Sequence, residues 1–296
     1  MSSELQIYRG YTEEDIALLR DFKREDVAPE DGFIKDFIGV RTRATSVYAG
    51  ARSLANTVCD LPVPADYHAE AIEWIGALKS VRAAQGRYRV MELGAGYGTW
   101  CIAMAHAARG RGIDDIRIVA VEGDPDHFLT MKQHFRDNAF DPAEHVLLRA
   151  AVGAQAGTAR WPKVADSSDT WGLRPMQEES RDYTGQIHTD FVDVDVIPLA
   201  ELIVREPVWD LVHIDVQGHE VEICRSCLDL LTERVRWMVV GLHSRKLDGD
   251  MLDMFAAAGW VLEHEKPTRF VFQAGADSLE AMTHFDGTQV WRNPRL

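Results

Sequence analysis

The feature that most constrains the fold of this chain is a glycine-rich turn between two apolar segments. The stretch VMELGAGYGTW, residues 90–100, places Gly94, Gly96 and Gly98 at alternate positions directly after an apolar run. Glycine loses more backbone freedom on folding than any other residue, so three of them in one turn indicate a sharp bend or a group that approaches the backbone closely. The run before the turn predicts a strand, and the residues after it predict a helix.

The same order of elements repeats along the chain from about residue 66. Short runs rich in Val, Ile and Leu alternate with helical segments, and the runs lack the polar alternation of a half-exposed strand. The predicted strands are YRVMEL, IRIVAVE, HVLLRAAVG, WDLVHIDV, VRWMVVGLH and WVLEHE. This order predicts an α/β fold with a doubly wound, mostly parallel, Rossmann-like sheet. Two final runs, RFVFQA and TQVWRNP, predict an antiparallel pair and so an antiparallel C-terminal strand.

Two segments depart from this rhythm. Residues 1–65 begin with a capping-box pattern in TEEDIALLRDFKRE, and we expect a helical N-terminal extension to a domain that spans residues 66–296. About 55 residues, mostly polar, separate the strand that ends near Val152 from the one that starts near Val208. Connections of this length are usually functional or disordered. This one follows the C-terminal end of a strand, where open α/β sheets bind ligands.

Composition narrows the classes of partner. The net charge of −15 disfavours non-specific binding to nucleic acid or to an anionic membrane surface, because both require positive charge. The sequence has no secretory-signal pattern and no apolar stretch near the roughly 20 residues of a membrane span. Four cysteines are too few for a disulfide scaffold in 296 residues. We therefore expect a cytoplasmic protein with reduced thiols that acts on a small molecule or a glycan, and a homo-oligomer stays open.

Two acidic residues indicate which ligand the turn binds. In a dinucleotide fingerprint, G-x-G-x-x-G, the last glycine would stand at Thr99. Glu92, directly before the turn, suits an amino group or a cation better than a pyrophosphate. Glu122 ends the next predicted strand, where a carboxylate can accept hydrogen bonds from both hydroxyls of a ribose. A nucleoside ligand follows, with an NAD-dependent oxidoreductase and a non-catalytic cofactor-binding module as the alternatives.

Over residues 66–296 the chain resembles class I S-adenosylmethionine-dependent methyltransferases, and within them the FkbM-type family. The resemblance rests on VMELGAGYGTW, VAVEGDPDHF, LLRAAVGAQAGTARW and DLVHIDVQGHEVEICRS. It implies S-adenosyl-L-methionine as the cofactor. The cofactor-binding residues that it implies are Gly94, Ala95 and Gly96 around the methionine and ribose, Glu92 at the ammonium group, Glu122 at the ribose hydroxyls, Gly123 beside the adenosine and Ala151 near the adenine. The chain departs from the family pattern at His213 and Gln217, where the family usually has a basic residue and Glu.

A hydroxyl acceptor must lose its proton during methyl transfer, so a base is expected near the acceptor. Asp215 and His243 fall at the ends of adjacent predicted strands, and both are expected to face the crevice. His219 opens the following helix and is a third catalytic candidate. Asp215, His243 and Glu220 could also bind a divalent metal, although no spacing of ligands demands one. His213 is expected to make ordinary polar contacts.

The long polar connection supplies the candidates for substrate binding. Trp171 and Arg174 combine an aromatic ring with a guanidinium group, which suit a sugar face or a carboxylate. We therefore predict an O-methyltransferase, with a sugar hydroxyl on a glycan or a secondary metabolite as the acceptor.

Overall fold

The centre of the protein is a seven-stranded sheet. The computed structural model describes residues 10–165, 167, 170–176, 186–276 and 282–296. In chain order the strands of this sheet are β1 Arg87–Leu93, β2 Asp115–Glu122, β3 Val146–Arg149, β4 Trp209–Ile214, β5 Val235–Leu242, β6 Val261–Lys266 and β7 Gly287–Arg292. Across the sheet they lie in the order β6-β7-β5-β4-β1-β2-β3.

The strand order places a ligand site at one edge of the sheet. Strands β1 to β5 are parallel, and β7 runs antiparallel between β5 and β6. The chain moves outward from β1 to β2 and β3, and then returns to the other side of β1 to form β4. Open α/β sheets bind ligands at such a switch point, outside the carboxyl ends of the strands. The mostly parallel sheet and the antiparallel C-terminal strand predicted from the sequence are confirmed.

Helices cover both faces of the sheet, as the continuous apolar strands require. One face packs on helices Glu13–Phe22, Ala71–Ala83, Thr99–Gly110 and Pro125–Asp137, and the other on Leu199–Ile203, Glu220–Ser226, Leu228–Arg234 and Arg245–Ala257. Successive residues of each strand alternate between the two cores: Val90 belongs to the first and Met91 to the second. No helix in the described part of the chain is long and apolar enough to span a bilayer.

The predicted strand HVLLRAAVG is wrong in one respect, because it forms two strands in two sheets. β3 ends at Arg149, and the segment Ala151–Gly153 pairs instead with Phe191–Pro198, which also pairs with Gly157–Pro162. The apolar pattern runs unbroken across the junction, so it carries no sign of the change of sheet. The connection expected to be irregular therefore contains two strands and the helix Leu199–Ile203.

Two further predictions of elements are corrected. The helix expected over residues 219–232 is broken at Cys227, whose φ of −143° interrupts the helical backbone. The expected pairing of the last two runs is also wrong. Arg269–Phe270 pairs with Thr283–Phe285, whereas β7 inserts between β5 and β6. Which strand receives another is set by contacts distant in sequence, and local patterns do not report them.

The N-terminal segment is less helical than predicted. The capping box is present, with Thr12 and Asp15 capping helix Glu13–Phe22. The segment then forms a small sheet of strands Phe33–Lys35, Arg41–Arg43 and Thr57–Val58, so "helical" describes only its start. Its apolar residues, among them Leu19 and Phe37, join the same core as Trp74. The boundary near residue 65 stays a prediction, and residues 1–9 lie outside the described part.

Candidate active site

The glycine turn lies at the C-terminal end of β1, beside the switch point. Gly94 has φ +72°, and a Cβ there would lie 1.7 Å from the carbonyl oxygen of Asp215. The group that approaches the backbone at this glycine is therefore the chain that leaves β4. Gly96 has φ +54°, and a Cβ there would lie 3.4 Å from the ring of Trp171. Both positions need glycine because their backbone is left-handed.

Glu92 joins the turn to the following helix. It is buried, and its two carboxylate oxygens accept hydrogen bonds from the backbone N–H groups of Trp100 at 3.1 Å and Cys101 at 2.8 Å. These donors belong to the first turn of helix Thr99–Gly110, where N–H groups lack partners within the helix. Burial raises the pKa of Glu92 above its usual value. Each oxygen keeps a second lone pair, so Glu92 can still accept from a ligand.

Glu122, the last residue of β2, makes the matching contacts on the other side of the turn. Its carboxylate accepts from the N–H of Gly96 at 2.6 Å and from the N–H of Asp124 at 2.7 Å. Burial raises the pKa of Glu122 to about 8. The two acids predicted from the sequence thus stand at neighbouring strand ends, and backbone donors fix both.

A cavity of about 710 Å³ opens at this edge of the sheet. Its cofactor end, as we call it, is lined by Glu92, Gly94, Ala95, Gly96, Glu122, Gly123, Ala151 and Trp161. Its acceptor end is lined by Glu73, His213, Asp215, His219, Asp286 and Thr288. The structure therefore brings all the predicted cofactor residues to one cavity, and it places Asp215 and His219 in the same space.

Trp161 is a cavity residue that the sequence analysis missed. It is buried, and its indole nitrogen donates to Asp124 at 3.3 Å. A Cβ on Gly123 would lie 2.4 Å from the Trp161 ring, so the ring packs flat against the backbone there. Trp161 lies in the long connection expected to be irregular, and no local pattern marked it.

Trp171 and Arg174 both line the cavity, as predicted for substrate residues. The Trp171 ring stacks on His127, with centroids 4.0 Å apart and planes within 4°. It also meets Tyr97 edge-on at 5.4 Å, which puts it near the cofactor end. Arg174 donates from Nη1 to the carbonyl oxygen of Gln217 at 2.9 Å, so its guanidinium group supports the turn after β4.

Asp215 and His243, predicted as a catalytic pair, are in contact. The Asp215 Oδ1 atom lies 3.2 Å from Nε2 of His243, and Oε1 of Glu220 lies 3.0 Å from Nδ1. Burial opposes the charge on His243, but the carboxylates of Asp215 and Glu220 outweigh it and raise the pKa of the ring well above its usual value. His243 is thus a cation between two anions.

His243 does not face the crevice as expected, because it is not among the described residues that line the cavity. It lies behind Asp215, whose pKa is lowered because the His243 charge outweighs the effect of burial. Glu220 is fully buried and accepts from the backbone N–H groups of Val216 and Gly218, so it also fixes the loop after β4. His219 is half exposed, with Nδ1 3.6 Å from Glu222. Catalytic roles for Asp215, His243 and His219 stay predictions.

Residues 92–262, more than half of the chain, match the family model described as "Methyltransferase FkbM domain". The chain belongs to the FkbM methyltransferase family. Membership implies methyl transfer with S-adenosylmethionine as the donor. This favours the methyltransferase interpretation over the oxidoreductase one, in agreement with the glycine spacing of the turn.

The FkbM assignment agrees with the similarity to a curated relative. A protein from Jannaschia sp. (strain CCS1), named "Putative methyltransferase", is 28% identical over 280 residues, which cover 94% of this chain and 98% of that protein. Among solved structures, methyltransferase FkbM from Methylobacillus flagellatus KT matches 74% of this chain and 54% of its own, with 11% identity and a TM-score of 0.40. A SAM-dependent methyltransferase from Agrobacterium tumefaciens matches 75% and 61%, with 11% identity and a TM-score of 0.43.

Proposed function

We propose that this FkbM methyltransferase transfers the methyl group of S-adenosylmethionine to a hydroxyl oxygen of an uncharged, sugar-like acceptor on a glycan or a secondary metabolite. One observation carries the proposal. A single cavity connects the turn between Glu92 and Glu122 with a second group of polar side chains that includes His213 and Asp215. A nucleoside donor and a polar acceptor can therefore meet inside it.

The cofactor end suits the parts of S-adenosylmethionine, which supplies an electrophilic methyl group on a sulfonium. Glu122 would accept from the ribose hydroxyls, and Glu92 would bind the ammonium group directly or through water. Ala151, Gly123 and Trp161 would enclose the adenine, because they form an apolar wall beside Glu122. These contacts hold the donor in one orientation, which an in-line displacement requires.

The acceptor end favours a neutral polyhydroxyl compound over an anion. Three acidic side chains line it: Glu73, Asp215 and Asp286. Of the cations that line the described cavity, Lys266 is paired with Glu70 at 2.9 Å, and Arg174 donates to a carbonyl oxygen. A phosphate or carboxylate on the acceptor would therefore face repulsion, whereas hydroxyl groups can donate to the three acids.

A divalent metal is the other occupant considered for the cluster of Asp215, Glu220 and His243. One ligand atom from each lies within 4.8 Å of the other two. However, His243 already supplies a positive charge between the two carboxylates. We infer that the imidazolium ring takes the place of a metal ion. Treatment with EDTA should leave turnover within twofold, and loss of activity that Mg²⁺ restores would establish the metal instead.

The decisive experiment compares cofactors by calorimetry. S-adenosylmethionine and S-adenosylhomocysteine should bind to the purified protein, and NAD should not. Turnover is then measured as S-adenosylhomocysteine formed with methyl hexosides, amino sugars and hexuronic acids, and the neutral glycosides should react best. Absence of S-adenosylhomocysteine binding would refute the cofactor site. Binding without turnover of any acceptor would favour the non-catalytic module.

A further inference from the structure

His213 is a buried imidazole at the acceptor end with no hydrogen bond. Only 3% of the residue is exposed, and in the described part of the chain neither Nδ1 nor Nε2 has a hydrogen-bond partner. The sequence analysis expected ordinary polar contacts for this residue. Its ring instead stacks on Trp100, with centroids 5.2 Å apart and an angle of 26°. Buried polar atoms in native proteins almost always have partners, so an unpartnered ring in a cavity wall indicates a ligand group.

Glu73 faces His213 across a short gap. Its Oε2 atom lies 3.6 Å from Nε2 of His213, which is too long for a hydrogen bond. Two atoms at this separation can both lie about 2.8 Å from a third, which is the usual length of a hydrogen bond to a hydroxyl oxygen. The other oxygen of Glu73 accepts from Thr288 at 3.4 Å, which orients the carboxylate. The gap therefore fits one hydroxyl group.

We propose that the acceptor hydroxyl binds between Nε2 of His213 and Oε2 of Glu73, and that His213 removes its proton. This inference rests on the proposed methyl transfer to oxygen. The bond that forms joins the acceptor oxygen to the methyl carbon. The bond that breaks joins that carbon to sulfur, which keeps the electron pair. The proton moves to His213, where Glu73 stabilises the imidazolium ring, and it then leaves to solvent.

His213 suits this role better than the pair predicted from sequence. His243 is held as a cation between two carboxylates and does not line the cavity, so it has no free site for a proton. Asp215 is a weak base because its pKa is lowered. The charged groups near His213 are Glu73 from helix Ala71–Ala83, Glu92 from β1, and Asp215 after its own strand. All three favour the protonated ring that proton removal produces.

The test follows the histidine ring directly, so it does not depend on knowing the acceptor. The protein is labelled with ¹⁵N-histidine, saturated with S-adenosylhomocysteine and titrated between pH 5 and 9. The His213 resonance is assigned from His213→Asn. We expect a ring that is neutral at pH 8.5, with a midpoint that falls by about one pH unit in Glu73→Gln. A midpoint that Glu73→Gln leaves unchanged, or a ring still doubly protonated at pH 9, would overturn the proposal.

Kinetics supply a second readout on any acceptor that reacts. His213→Asn should lower kcat by about 100-fold or more, because general base catalysis typically contributes that much. The affinity for S-adenosylhomocysteine should change less than twofold. His145→Asn is the matched control, since His145 also has an unpartnered ring nitrogen but precedes β3 at the opposite edge of the sheet. An unchanged kcat in His213→Asn would also refute the role. If S-adenosylhomocysteine fails to bind the wild-type protein, the proposed function fails first.

Discussion

The two ends of the cavity are held in place by different means. At the cofactor end, Glu92 and Glu122 each accept two backbone N–H groups. At the acceptor end, Asp215 contacts the side chains of His243 and Gln217, and His213 has no hydrogen bond in the described structure. Backbone donors fix geometry regardless of neighbouring side chains, whereas side-chain partners can be exchanged. One end is therefore built for a constant ligand, and the other can be adapted to different acceptors.

The largest expected effect comes from filling the close approach at the cofactor end. Gly94→Ala should lower the free energy of unfolding by about 3 kcal/mol or more, because the new Cβ would meet the Asp215 carbonyl oxygen in a left-handed backbone. Gly112→Ala is the control, since Gly112 has a similar φ of +77° and open space around it. That change should cost about 1 kcal/mol. Urea unfolding measures both, and equal losses would show that the approach to β4 is unimportant.

The next effect should separate the two ends in one variant. Asp215→Asn should reduce turnover by about 100-fold, since it removes a charge at the acceptor end and leaves His243 with one carboxylate. The affinity for S-adenosylhomocysteine should stay within twofold, because the cofactor end keeps its backbone donors. Calorimetry and the rate of S-adenosylhomocysteine formation test this, with the exposed Asp229→Asn as the control. Loss of cofactor affinity would mean that the two ends are coupled.

Removal of a carboxylate at the cofactor end should give the reverse result. Glu122→Ala should weaken binding of S-adenosylhomocysteine by about 1–3 kcal/mol, or roughly five- to 150-fold, as for loss of a charged hydrogen-bond acceptor. The variant also leaves the N–H of Gly96 without its partner. Glu201→Ala, at an exposed helical position, is the control. An unchanged dissociation constant would remove Glu122 from the ribose site.

The smallest effect is a proton released on binding. With a pKa of about 8, Glu122 is mostly protonated at pH 7, and ribose hydroxyls that donate to it require the carboxylate form. Binding at pH 7 should release close to one proton, and affinity should rise about tenfold per pH unit up to pH 8 and then level off. Calorimetry at pH 7 in phosphate and Tris buffers reports the proton as a difference in enthalpy. Glu122→Gln should abolish that difference, and an equal wild-type enthalpy would contradict the assignment.

The same contrast explains how much could be predicted from the sequence. The cofactor end depends on local features: three glycines after a strand, and an acid at each of two strand ends. Sequence patterns report such features directly, and the fold class follows from the same alternation. The acceptor end brings together Glu73, His213 and Thr288 from a helix and two strands that are far apart in the sequence. Their proximity depends on the strand order, which local patterns do not contain.

Two errors in the predicted elements have this cause as well. The run HVLLRAAVG looks like one strand, because apolar residues continue through the point at which the chain changes sheet. Trp161, which lines the cavity, lies in the small sheet that this change creates. His243 was expected at the crevice from its position after β5, but side-chain direction is decided by the buried carboxylate of Glu220.

The insertion of β7 has a consequence for how the protein is made. Residues 287–292 occupy the gap between β5 and β6, and Thr288 and Asp286 come with them to the cavity wall. During translation, the earlier strands emerge from the ribosome with that gap open and with unsatisfied backbone groups on both sides. The enzyme therefore cannot assemble its acceptor pocket until residue 292 has been synthesised, so a chain that stalls before that point holds the donor half of a reaction without the half that uses it.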